Sequence, residues 1–257
     1  MRNGFNTIGI VLRRYPLGEK DKLLVVLSPQ FGKLRVSARG ARQSSSKLAG
    51  TTEPLVIANM HLVKGMTFHV LAQAESVETF PQIKQDITWI SYASFLCELV
   101  ERLTVDEDPA ADLYEILVQS LYLLTVTSDA AALILAAQWH ILHLSGYLPS
   151  TRECCVCSAN VSSKPDHLQY SPIRGGAVCE RCADGFRGEL LPFHRETQRA
   201  LHDIGNLTST GDWSRFTLAE DTKSHLWTLV RAHMKSITDR DVKTITFLDA
   251  LRFDTIG

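Results

Sequence analysis

Lys33-Leu34-Arg35-Val36-Ser37-Ala38-Arg39 alternates polar and apolar side chains at every step, the period of a β-strand that lays one face on a core. Leu34, Val36 and Ala38 fall on the core face. Lys33, Arg35, Ser37 and Arg39 fall on the other, which reads as a basic face turned to solvent. Four further runs rich in β-branched and apolar residues flank this one, roughly Thr7 to Arg14, Lys22 to Ser28, Leu55 to Val63 and Thr67 to Glu75. Pro16-Leu17-Gly18, Pro29-Gln30-Phe31-Gly32 and Lys64-Gly65 supply turn signals between them. Five short strands in one small domain predict a closed or nearly closed barrel, because closure removes the edges that invite aggregation. The expectation is an OB-like five-stranded barrel over residues 1–82.

The stretch after the alternating run, Gly40-Ala41-Arg42-Gln43-Ser44-Ser45-Ser46-Lys47-Leu48-Ala49-Gly50, is polar and rich in Ser and Gly. It reads as a mobile basic loop beside a basic strand, which suits a phosphate backbone. A solvated face with an ordinary hairpin loop is the alternative. Phe5, Tyr15, Phe31 and Phe68 are candidate base-stacking rings, although aromatics in strands more often belong to a core. The net charge of −1 conceals an asymmetry. Residues 1–85 hold 12 Lys and Arg against 5 Asp and Glu, residues 86–150 hold 1 against 9, and the remainder is balanced at 14 each. The first segment suits a polyanion and the second repels one.

From Ile83 the period becomes helical. Ile83, Ile87, Ile90, Leu96, Cys97, Val100 and Leu103 form an apolar stripe, and Asp106-Glu107-Asp108-Pro109 ends it. Leu113, Ile116, Leu117, Leu121 and Leu124 mark a second helix. Asp129 reads as the N-cap of a third, closed by Ser145-Gly146. Further helices are expected over Arg195 to Ile204, Leu218 to Ile237 and Asp239 to Leu251. The apolar run from Ala130 to Ala137 is far short of the roughly 20 residues a bilayer demands, and the N-terminus lacks a secretory h-region. A cytoplasmic chain without a membrane span is therefore expected.

Cys154-Cys155-Val156-Cys157 and Cys179-Glu180-Arg181-Cys182 are two C-x-x-C knuckles whose spacing suits a four-thiolate zinc ribbon. Two residues between thiolates let both sulfurs reach one ion. Four thiolates saturate a tetrahedral zinc and leave no position for an activated water, so Cys154, Cys157, Cys179 and Cys182 predict a structural Zn2+. Cys155 is read as a spare thiol, and His167 and His194 as surface residues. A zinc deaminase would need H-x-E before P-C-x-x-C. Here His194-Arg195-Glu196 follows the cysteines and Val178 replaces the proline. His140 and His143, three apart on a helix, lack a third ligand. Phosphate-binding and nucleophile-elbow glycine motifs are missing, so no enzyme is expected. The expected organisation is an α+β multidomain chain: the barrel over 1–82, a helical domain over 83–150 and 191–257, and the ribbon inserted over 151–190. A zinc-ribbon transcription or RNA-binding factor fits the same features.

Several strings occur in an order that resembles the bacterial RecO recombination mediators over nearly the whole chain: Leu17-Gly18-Glu19-Lys20-Asp21, Ser28-Pro29-Gln30-Phe31-Gly32-Lys33, Ala38-Arg39-Gly40-Ala41-Arg42, Leu71-Ala72-Gln73-Ala74-Glu75, Gly146-Tyr147-Leu148-Pro149 and Lys243 to Leu248. Cys155 and Ser158 depart from that family, which usually has an apolar residue and a glycine there. The resemblance implies a nucleoid-associated, non-enzymatic repair protein. Such a protein binds single- and double-stranded DNA, anneals complementary strands, and works with RecR and single-stranded-DNA-binding protein to load RecA. The candidate DNA contacts are Arg13, Arg14, Lys33, Arg35, Arg39, Arg42 and Lys47. Arg39 and Arg42 lie in a family string, and charge pattern nominates the others.

Overall fold

A computed structural model describes residues 4–161, 168–208, 210–238, 244 and 248. The chain divides into two compact units, Met1–Thr125 and Val126–Gly257.

The first unit opens with five strands, β1 (Gly4–Leu17), β2 (Asp21–Ser28), β3 (Gly32–Ala38), β4 (Ile57–Val63) and β5 (His69–Glu78). They close in the order β1-β2-β3-β5-β4. One long strand makes closure possible: the start of β1 pairs with β4, from Gly4 opposite Val63 to Ile10 opposite Ile57. Its end pairs with β2, and a bulge between Val11 and Arg13 bends it from one partner to the other. The remaining seam is parallel, Val36 and Ser37 of β3 against His69 and Val70 of β5. This is the expected OB-like barrel, and its interior is filled by Val11, Leu24, Val26, Leu34, Val36, Ala38, Met60, Leu62 and Leu71. A short 3-10 turn (Ile83–Gln85) leads to α1 (Ile87–Leu103), whose N-cap Asp86 accepts from the amides of Thr88 and Trp89. After the acidic stretch comes α2 (Ala111–Leu124).

The outer face of β1 and β2 is not free. Ile10 and Leu27 face each other across the two strands, as do Arg13 and Val25. Ile10, Val25 and Leu27 are buried, because α1 packs on β1 and α2 on β2. The expectation of a solvent-facing basic strand is corrected here. Lys33 and Ser37 are buried, and only Arg35 and Arg39 of that face are exposed. The connection over 40–56 is also not the free loop expected. Ala41, Thr52, Leu55 and Val56 are buried, and the Lys22 ammonium donates to Ala49 O, Thr52 Oγ1 and Glu53. Buried donors of that strength hold a connection down.

The second unit begins with α3 (Ala130–Leu144), capped by the Asp129 carboxylate on the Ala132 amide. Its last turn closes on Gly146 at φ +78, a left-handed position that favours glycine. Gly146 N–H donates to His143 O at 3.0 Å and Tyr147 N–H to Leu142 O at 2.8 Å. A three-stranded sheet follows, β6 (Gln169–Ser171), β7 (Gly176–Val178) and β8 (Leu191–Pro192), ordered β7-β6-β8. The single turn α4 (Glu180–Ala183) lies between β7 and β8. Then come α5 (Arg195–Gly205), α6 (Thr210–Arg215) and α7 (Glu220–Thr238), of which α6 was not anticipated. Helix α3 packs against α5, α6 and α7. Asp129 serves twice, since its second oxygen takes the Lys223 ammonium at 3.0 Å and ties α3 to α7. The helix expected over 239–251 lies outside the described residues apart from Thr244 and Leu248, and so does His167. No described helix is long and apolar enough to cross a membrane.

Candidate metal centre and nucleic-acid interface

The first knuckle is a tight turn. Cys154 N–H donates to Ala159 O and Ser158 N–H to Cys154 O, each at 2.8 Å. Ser158 closes the turn at φ +57, a strained conformation for any residue but glycine. The second knuckle starts where β7 meets α4, and the amides of Cys182 and Ala183 both donate to Cys179 O at 2.9 Å. These turns gather the sulfurs of Cys154, Cys157, Cys179 and Cys182 within 4.8 Å of one another. The Cys157 and Cys179 sulfurs are 3.8 Å apart. A tetrahedron with bonds of about 2.3 Å has an edge of about 3.8 Å, so the set is already spaced to hold one metal ion.

The surroundings of Cys154 and Cys157 favour thiolate. The Cys179 amide donates to Cys154 Sγ at 3.4 Å and the Arg181 guanidinium to Cys157 Sγ at 3.9 Å. Burial opposes ionisation of Cys154, but amide donors from Cys179, Cys157 and Val156 outweigh it and hold this thiol down to about 6. Cys182, hydrogen-bonded to the Cys157 and Cys179 sulfurs, is pushed up to about 12. Thiols crowded in this way ionise together only when a cation joins them. Cys155 stands outside the cluster, and its amide donates to Ala177 O. The histidines weighed as ligands have other partners. His140 faces Ile204 O at 3.0 Å and packs on Trp213, and His194 stacks on His225.

The seven basic candidates separate into two groups. Arg13 lies within 3.4 Å of Glu98 and 3.3 Å of Glu101 on α1. Arg14 pairs with Glu53 at 2.9 Å. Lys33 donates to Glu101 O and Thr104 O and pairs with Asp106 at 3.1 Å. Arg35 meets the other Asp106 oxygen at 3.0 Å. Each of these cations already has a carboxylate. Arg39 and Lys47 are exposed and make no ion pair among the described residues, and exposed Arg42 gives one hydrogen bond to Gly18 O. The turn carrying Gly18 and Lys20 lies beside them, since Arg42 N–H donates to Lys20 O and Gly40 N–H to Asp21. Exposed Lys20 thus joins Arg39, Arg42 and Lys47 at one rim of the barrel. Sequence pattern did not nominate Lys20, because only the hydrogen bonds between the two turns bring it there. Of the candidate stacking rings, Phe5 packs on Phe31 at 4.5 Å and on His69. Tyr15 donates to Glu101.

The acidic stretch after α1 is part of the barrel surface. Asp106 bridges to Lys33 in parallel alignment, Glu107 N–H donates to Lys33 O at 2.9 Å and Ala110 N–H to Pro29 O at 3.3 Å. A Cβ on Gly32, itself at φ +64, would stand 1.7 Å from Asp108 O, so the stretch fits only because residue 32 is glycine. Burial works against the Asp106 carboxylate, yet hydrogen bonds from Arg35 and Lys33 prevail and hold it below its ordinary range. Glu107 reaches His69 at 3.1 Å.

Residues 1–80 match the family model described as Recombination protein O N terminal, and residues 84–244 match that described as Recombination protein O C terminal. The chain is 30% identical to the DNA repair protein RecO of Roseiflexus sp. (strain RS-1), over 96% of this chain and 86% of that one. It is 29% identical to the DNA repair protein RecO of Symbiobacterium thermophilum, over 96% and 98%. With the namesake from Gloeobacter violaceus it shares 30% identity over 95% and 92%.

Proposed function

The chain belongs to the RecO family of DNA repair and recombination proteins, and on that premise we propose that it is a non-enzymatic mediator that anneals complementary strands. It binds single- and double-stranded DNA and acts with RecR and single-stranded-DNA-binding protein to promote RecA loading. Its place of work is the cytoplasm, on the nucleoid. The observation that carries this reading is the rim of exposed cations, Arg39, Arg42, Lys47 and Lys20, none with an ion pair among the described residues. Annealing requires phosphates to be neutralised without locking bases away, and exposed lysines and arginines on turns do this by counterion release. Arg13, Arg14, Lys33 and Arg35 have carboxylates competing for them and contribute less. Cys154, Cys157, Cys179 and Cys182 hold a structural Zn2+, which supplies folding energy and no chemistry. The working modules are the barrel over 1–82, the helices over 83–150 and 191–257, and the ribbon over 151–190.

Annealing of complementary oligonucleotides by the full chain tests the proposal. It is expected to proceed without ATP, to slow as salt rises, and to fall at least about tenfold in the double variant Arg39→Glu, Arg42→Glu. Unchanged annealing and DNA binding in that variant at moderate salt would overturn the assignment. A strong preference for RNA or for one sequence would favour a transcription or RNA-binding factor instead.

A further inference from the structure

Asp106 presents one carboxylate oxygen to Lys33 and the other to Arg35, at 3.1 and 3.0 Å, as a phosphodiester presents its two free oxygens to a pair of cations. Glu107 adds a second carboxylate against His69. The two acids follow each other in the chain and run alongside β3, held by the Glu107 amide on Lys33 O. Two successive anions beside Lys33, Arg35 and the His69 imidazole follow the pattern of a nucleic-acid backbone. We propose that residues 105–108 are a built-in phosphate mimic covering a second phosphate subsite, and that bound single-stranded DNA displaces this strap from Arg35.

Three observations favour a strap that can leave. The stretch is joined to β3 by one bridge rather than a ladder. Arg35 and Asp106 are about half exposed, at 47% and 46% of their side chains, so water and salt reach the pair and an exchange of partners costs little. Glu107 is held at φ +59, a conformation relieved on release. Lys33, only 10% exposed, keeps its carbonyl partners Glu101 and Thr104 and anchors the site while Arg35 changes hands. OB barrels commonly take oligonucleotides on the face of their second and third strands. Here helices cover the second strand, and Arg35 marks the edge at which that face remains reachable. The proposal rests on DNA binding at the Arg39 and Arg42 rim, because DNA held there brings phosphates to the strap.

The test is a salt titration of binding to a fluorescent oligothymidine by the full-length chain. Asp106→Asn, nearly isosteric, is expected to tighten binding several-fold at physiological salt. It should also steepen the slope of log affinity against log salt by about 0.7 for each cation freed. Adding Arg35→Gln should cancel both gains. Asp112→Asn, which removes an exposed acid outside the strap, should give neither. No gain in Asp106→Asn, a gain that survives Arg35→Gln, or an equal gain in Asp112→Asn overturns the proposal. Should Asp106→Asn fold poorly, hydrogen exchange in the unaltered chain decides: the Glu107 amide must exchange faster when the oligonucleotide binds, and an unchanged or slower rate rejects the strap. If DNA binds and the Arg39→Glu, Arg42→Glu change does not weaken it, the rim assignment fails, and that result is read separately from the strap.

Discussion

Cys179 links several parts of the candidate metal site. It follows β7, stands at the N-cap position of α4 and accepts two amide hydrogen bonds on its carbonyl. Its own amide steadies the Cys154 sulfur, and its sulfur stands one tetrahedral edge from Cys157. Because metal binding energy at such a site is folding energy, Cys179→Ser is expected to abolish stoichiometric zinc and to lower the melting midpoint by about 10 °C. Atomic absorption and a thermal melt check this, and full zinc content in the variant would sink it. The knuckle spacing made this set legible in the sequence, since two intervening residues leave the sulfurs little choice. Ser158 was legible only as a departure. Its left-handed backbone explains why glycine is the residue that suits the position.

At the scale of elements, α1 on β1 shows how charge settles the packing. Glu98 is 1% exposed, and its carboxylate receives Arg102 of its own helix at 2.6 Å and Arg13 of β1 at 3.4 Å. Glu98→Gln is expected to leave two guanidiniums short of charge and to cost about 2 kcal/mol, less than a fully buried pair because both arginines retain some water. Urea unfolding followed by circular dichroism measures it, and a loss within error would show that Arg13 is held by Glu101 alone. The strand and helix periods were readable because side-chain alternation is a local property. The cover on the outer face of β1 to β3 was not. An alternating strand looks the same whether its second face meets water or the carboxylates of a helix distant in sequence, and so Lys33 read as a free cation.

Over the whole molecule, the histidines lowered by burial fall in the second unit. Three of the four tryptophans, Trp139, Trp213 and Trp227, lie in the second unit, so fluorescence reports chiefly on it. Burial there lowers His140, His225 and His233 below their ordinary range, outweighing hydrogen bonds to the carbonyls of Ile204, Pro192 and Tyr147. Histidines depressed in the folded state are protonated first in the unfolded chain, so their stabilisation is complete above the unfolded value of about 6.5 and is lost as pH falls below it. The fluorescence melting midpoint is expected to drop between about pH 7.5 and pH 5.5, and His140→Phe should flatten that response. A midpoint that holds steady or rises on acidification contradicts the prediction.

The amino-acid sequence by itself determined the five strands, the helix start at Asp129, the turn at Gly146 and the four clustered cysteines. Each is written in side-chain periods, caps and spacings a few residues long. Only the tertiary structure decided which basic residues face solvent. That property depends on partners far away in the chain, Glu98, Glu101 and Asp106 for the arginines and lysine of β1 and β3, and on Gly18 and Lys20 meeting Arg42. A cation's freedom is set by the nearest carboxylate in space, and the packing of α1 and the stretch after it on the barrel places that carboxylate.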